Sequence, residues 1–145
     1  MKKVSIILFI CFVCFAGIQM YKTDNNPVTI NIENELKIEL DSLKPLPDDW
    51  SSGSSHFARK SNSVSVTKEY VSKNSYEDIK KYYNDELKKY NWQFSCEKDV
   101  KDWGKDLGGK ELDYYKGQYS IEIFYSGEKA NYGYTYGITI EWRNS

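Results

Sequence analysis

Few residues in this chain could do covalent or acid-base chemistry, and most of those sit where a structural role explains them. His56 is the single histidine and lies in SSGSSHFARKS among serines. A serine nucleophile needs a base held by a third group on a rigid scaffold, and no G-x-S-x-G turn is present. Cys11 and Cys14 fall in an apolar N-terminal run, which leaves Cys96 as the one thiol beyond it. Neither a disulfide within the remainder nor a Cys/His metal set is therefore expected. Cys96 alternates with Trp92 and Phe94 and reads as a buried structural cysteine. Asp48 and Asp49 in PDDW can be imagined as a cation or acid-pair site, but adjacent acids in a proline turn usually cap or solvate. A calcium loop needs more oxygen ligands at short alternating spacing. GKDLGGK lacks the G-x4-G-K-[ST] pattern of a phosphate cradle.

Two groupings remain as binding candidates. Tyr82 and Glu86 are four residues apart on an amphipathic helix, placing a carboxylate beside a phenol at the edge of the apolar stripe. A rim glutamate accepting a tyrosine hydrogen bond is the plain reading, and a ligand-facing carboxylate the sharper one. Tyr132 and Tyr134 share strand parity near the last hairpin, where amphipathic rings can stack on sugars or anchor a protein interface. No catalytic residue, metal ligand or cofactor is read from the sequence. A net charge of -1 gives no field favouring nucleic acid.

These side chains must be held by some scaffold, and its elements can be read. Thirteen tyrosines, four tryptophans and six phenylalanines suit a sheet-heavy core better than a helical bundle. SVSVTKEYV alternates as a strand, with Lys68 interrupting its apolar face as an edge strand would tolerate. Ser75-x-x-Asp78 is a capping box, and Tyr76, Ile79, Tyr83, Leu87 and Tyr90 form the buried stripe of the helix it opens. Asn91 fits a left-handed C′ position, with Trp92 closing on Leu87 in a Schellman ending. A strand from Trp92 through Cys96, a Gly-punctuated turn at WGKDLGGK, and strands over 111–116, 119–125 and 134–143 follow. Tyr119, Ile121, Ile123 and Tyr125 should face the alternating residues of the last strand. The pattern predicts an α+β domain, one amphipathic helix packed on a curved antiparallel sheet of about four to five strands.

Ahead of this domain, VTINIENELKIELDSL alternates as a strand or hairpin, although Leu36, Leu40 and Leu43 also fit a short helix. SSGSSHFARKSNS reads as a loop. At the start, MKKVSIILFICFVCFAGIQM places two lysines before an apolar run, an export signal that leaves the N-terminus inside and the rest outside. It suits a single-pass signal-anchor, and a removable signal peptide with secretion of the remainder stays open. The chain thus divides into residues 1–21 as signal-anchor or signal peptide, 22–45 as a juxtamembrane connector, and 46–145 as an extracytoplasmic domain.

LPDDW, SVSVTKEYV, YYNDEL and Asn91-Trp92 together resemble a loose class of small exported bacterial domains. That class has a proline-containing lead-in, a Val/Thr/Tyr strand, a helix ending YY-x3-L and a Gly-Trp turn, here Asn-Trp. The resemblance implies a membrane-tethered extracytoplasmic domain and carries over no catalytic residues. The expected function is non-enzymatic binding or interaction, as an accessory or immunity-like protein engaging an envelope protein partner. A cell-wall glycan-binding module is the alternative, and a carboxylate-dependent hydrolase a third reading.

Overall fold

The computed structural model describes residues 26–53, 55–60 and 62–144, so the expected export segment lies outside the described residues. Among those described, no helix is long and apolar enough to cross a membrane.

The first element corrects the strand reading. Pro27–Ser42 is helix α1, opened by the Asn26 side chain accepting from the Val28 amide at 3.0 Å, with Pro27 at its start. Its buried residues, Thr29, Ile32, Glu33, Leu36 and Leu40, repeat at helical spacing. Val28 and Ile38, which alternation would have placed beside them, are 58% and 73% exposed. Glu33 lies inside, paired with Lys37 one turn on and with Arg59 Nε at 2.6 Å. Burial alone would raise its pKa, but the bonds from Lys37 and Arg59 outweigh it and hold the carboxyl below the usual range.

Arg59 ends a strand that the sequence reads as loop. The strands are β1 (Trp50–Ser51), β2 (His56–Arg59), β3 (Ser63–Val71), β4 (Gln93–Asp102), β5 (Lys105–Lys116), β6 (Tyr119–Tyr125) and β7 (Tyr136–Arg143). They form one seven-stranded antiparallel sheet, ordered β1-β3-β7-β6-β5-β4, with β2 also paired to β3. It exceeds the four to five expected strands because β1 and β2, short segments flanking a serine-rich turn, pair along β3. That pairing makes β3 an interior strand. Lys68 is accommodated not by an edge but by Asp41 of α1, at 3.1 Å.

The β6–β7 register is the expected one: Tyr119, Ile121, Ile123 and Tyr125 oppose Trp142, Ile140, Ile138 and Tyr136. All of these point to one face, together with Val64, Val66 and Tyr70 of β3 and Leu112 and Tyr114 of β5. Helix α2 (Tyr76–Lys89) covers the same face as α1, burying Ile79, Tyr83 and Leu87. Its capping box is formed, with Ser75 Oγ accepting from the Asp78 amide at 3.3 Å and Asp78 accepting from the Ser75 amide. Its far end is the expected Schellman motif: Asn91 has φ +62°, and the Trp92 amide reaches the Leu87 carbonyl at 3.1 Å. Tyr90, read as part of the buried stripe, is the C-cap and is 47% exposed, because the chain leaves the helix there.

Candidate functional site

Both helices lie on one face of the sheet, and no described helix lies on the other. Side chains of the opposite parity populate this bare face: Lys98 of β4, Glu111, Asp113 and Tyr115 of β5, Ser120, Glu122 and Phe124 of β6, Thr139, Glu141 and Arg143 of β7. Strand alternation alone puts them there. A bulge between Phe94 and Cys96 shifts β4 by one residue, so Cys96, read as buried, is half-buried on the bare side. Its thiol donates to Asp113 Oδ2 at 3.2 Å.

A shallow basin of about 650 Å³ runs across the middle of this face, lined by Lys98, Glu111, Asp113, Tyr115, Glu122, Glu141 and Arg143 among others. Carboxylate oxygens of Glu111, Asp113 and Glu122 lie within 4.8 Å of one another. Lys98 Nζ bridges Glu111, at 2.8 Å, and Asp113. Burial pushes the Asp113 carboxyl up, but hydrogen bonds from Lys98 and Cys96 outweigh it and hold the group below the ordinary range. Glu122 goes the other way: burial, then the charges of Glu111 and Asp113, raise its pKa.

Asp113 and Glu122 are direct cross-strand partners, an arrangement that costs stability when both are charged. The Glu122 carboxyl has a raised pKa in the folded protein. The penalty is absent below the ordinary carboxylate value of 4.5 and fully present above the native one. Glu122→Gln should therefore stabilise the protein at pH 7 by about 0.2–1 kcal/mol, the size of cross-strand charge effects. Urea titrations at pH 7 and pH 4 would show that gain shrinking at the lower pH. A gain equal at both would contradict the electrostatic origin.

The basin continues at one end into a second hollow of about 390 Å³, walled by Val100, Leu107, Phe124, Tyr132 and Tyr134. Tyr132 and Tyr134 stack at 5.8 Å between centroids, and the Phe124 ring meets Tyr134 edge-on at 5.7 Å. Phe124 lies across its cross-strand partner Gly137, where a Cβ would come within 2.1 Å of the ring. Glycine is what lets the aromatic ring settle on the sheet. Gly127, at φ +97°, brings the β6–β7 loop so close to β5 that a Cβ would sit 2.2 Å from the Leu107 carbonyl oxygen. That contact sets the loop carrying Tyr132 over the hairpin joining β4 to β5. The Tyr132 hydroxyl donates to Asp102, which pushes its pKa up to about 12.

Of the four candidate residues, Tyr132 and Tyr134 come together here. Tyr82 and Glu86 sit on the helix-covered side. Tyr82 donates to the Lys44 and Pro45 carbonyls at 3.2 and 3.3 Å, and Glu86 pairs with Lys89. The acidic basin was missed because its members come from three strands and look like the ordinary solvated residues of each. The signal was available in parity: Glu111, Asp113, Glu122 and Glu141 all alternate with the core residues of their strands.

His56 lies exposed on β2. Asp49 serves the fold, accepting from Tyr136 at 3.0 Å, Ser72 at 2.6 Å and Asn74 at 3.0 Å. Fold and site thus define a class: a single antiparallel sheet backed by two helices, with an open, polar and aromatic face. Comparison with protein-family models, curated proteins and solved structures finds no match.

Proposed function

We propose that this chain is a non-enzymatic, membrane-tethered extracytoplasmic domain that binds another envelope protein through the bare face of its sheet. The observation that carries the reading is the asymmetry of that sheet. One face is sealed by two helices, while the other presents a basin and a ring cluster side by side. Contiguous aromatics next to polar groups are the usual anchors of a protein interface. Four carboxylates against Lys98 and Arg143 favour a partner surface that is basic overall.

Tethering and export are read from the two lysines and apolar run at the N-terminus. The resemblance to small exported bacterial domains agrees with that placement and supports an accessory or immunity-like role. Against a carboxylate-dependent hydrolase stands the openness of the basin, where Lys98 already binds two of the three converging acids. A hydrolytic pair works best in a pocket that encloses most of its substrate.

The experiment is a pull-down from native envelope with the full-length chain, comparing wild type with the double variant Tyr132→Ala/Tyr134→Ala. One protein should be recovered reproducibly, and recovery should fall about tenfold in the variant, as for loss of an interface anchor. Recovery of wall glycan alone would replace this reading with the glycan-binding one. A protein recovered equally by both chains would remove the ring cluster from the site.

A further inference from the structure

We propose that the chain pairs with a second copy of itself along β4, antiparallel and centred on Val100. Strand β4 ends the sheet, and among the described residues it pairs only with β5. Its other edge leaves backbone donors and acceptors open for a further strand. Nearly all of its side chains are exposed, including Val100 at 38%, and the Trp103 ring at the hairpin tip is 97% exposed.

What selects a second copy is the order of charges in Lys98-Asp99-Val100-Lys101-Asp102. Read backwards, every sign is reversed about the central valine. A two-fold axis perpendicular to the sheet at Val100 therefore sets Val100 against Val100. It also sets each Lys98 against the partner copy's Asp102, and each Asp99 against its Lys101. Opposite charges directly across an antiparallel pair are favourable, and like charges are not.

The neighbouring registers within this charged run fail this test, and one centred on Cys96 opposes no like charges but forms none of these ion pairs. Centring on Asp99, Lys101 or Lys98 puts a charge against its own copy, and a parallel in-register pairing puts every charge against itself. Existing contacts extend into the pairing rather than oppose it. Lys98 already holds Glu111 and Asp113 on the bare face, and Asp99 holds Lys110 on the other. Lys98 and Asp99 would thus stand between opposite charges on both sides, while Asp102 keeps its bond from the Tyr132 hydroxyl. The same axis keeps both helix layers on one side and joins the two bare faces on the other. The association would be salt-sensitive, since its specificity lies in exposed charges.

The test uses the full-length chain in mild detergent, with Cys11, Cys14 and Cys96 changed to serine, and a single cysteine introduced at position 100 or 98. Under mild oxidation Val100→Cys should give a covalent species of twice the 17.0 kDa chain mass on a non-reducing gel. Lys98→Cys should not, because its two copies would lie about 13 Å apart, four residues of strand, beyond the roughly 7 Å a disulfide spans between Cα atoms. Adding Lys101→Glu to the Val100→Cys chain should cut crosslinking about tenfold, and adding Asp99→Lys as well should restore it. Equal crosslinking from both positions, none from position 100, or no restoration by the charge swap would overturn the proposal.

Discussion

Replacing Leu40 with alanine should lower the free energy of unfolding by about 2–5 kcal/mol, whereas Ile38→Ala should change it by no more than about 0.5 kcal/mol. Leu40 is 1% exposed and Ile38 is 73% exposed, although the two residues are only two positions apart. In a strand they would share a face and respond alike. In α1 they lie on opposite sides, and only Leu40 reaches the sheet, where it packs into one core with Val66, Tyr70 and Ile138. Leu36, one turn before Leu40 and equally buried, should behave as Leu40 does. Equilibrium urea unfolding of the three variants decides the point. A large loss from Ile38→Ala would contradict the helix.

Asp49→Ala should cost about 2–4 kcal/mol, the sum expected when a carboxylate leaves several hydrogen-bond donors unpaired, one of them buried. Asp49 Oδ2 accepts from the Tyr136 hydroxyl at 3.0 Å, and Tyr136 lies 3.0 Å from the Tyr83 hydroxyl. Tyr136 has one proton and gives it to Asp49, so Tyr83 must donate to Tyr136. The carboxylate thus ends a relay that begins on α2, passes through the buried end of β7 and finishes in the lead-in to β1.

Asp49 also holds Ser72 and Asn74 in the turn between β3 and α2. Its neighbour gives the contrast. Asp48 is exposed and has φ +70°, a conformation that glycine adopts freely, so Asp48→Gly should be neutral or slightly stabilising. Thermal melts of both variants test the pair. A similar effect from each would mean the two acids act as solvated turn residues after all.

Local signals were dependable: the Ser75 capping box, the Asn91-Trp92 helix ending and the β6–β7 register each depend on residues that identify their own geometry. α1 was ambiguous because Val28, Ile30, Ile32, Leu36, Ile38 and Leu40 satisfy period 2 as well as part of period 3.6. What decides between them is tertiary, namely a sheet face needing cover and Arg59 meeting the buried Glu33. β1 and β2 were hidden in a serine-rich stretch because short edge strands gain their order from the strand they join. Cys96 changed sides through a single bulge, which alternation does not reveal. For the site, Tyr132 and Tyr134 were visible as rings near one hairpin. The acidic basin beside them became visible only once three strands were placed in register.

If the proposed function holds, the bare face, not the helix-covered one, meets the partner. Site-specific photocrosslinking in native envelope tests this most directly, with the reactive residue placed at Tyr132 or Tyr115 on the bare face and at Ile38 on the outer side of α1. One and the same protein adduct is expected from positions 132 and 115 and none from position 38. An adduct from position 38 with none from the bare face would contradict that expectation.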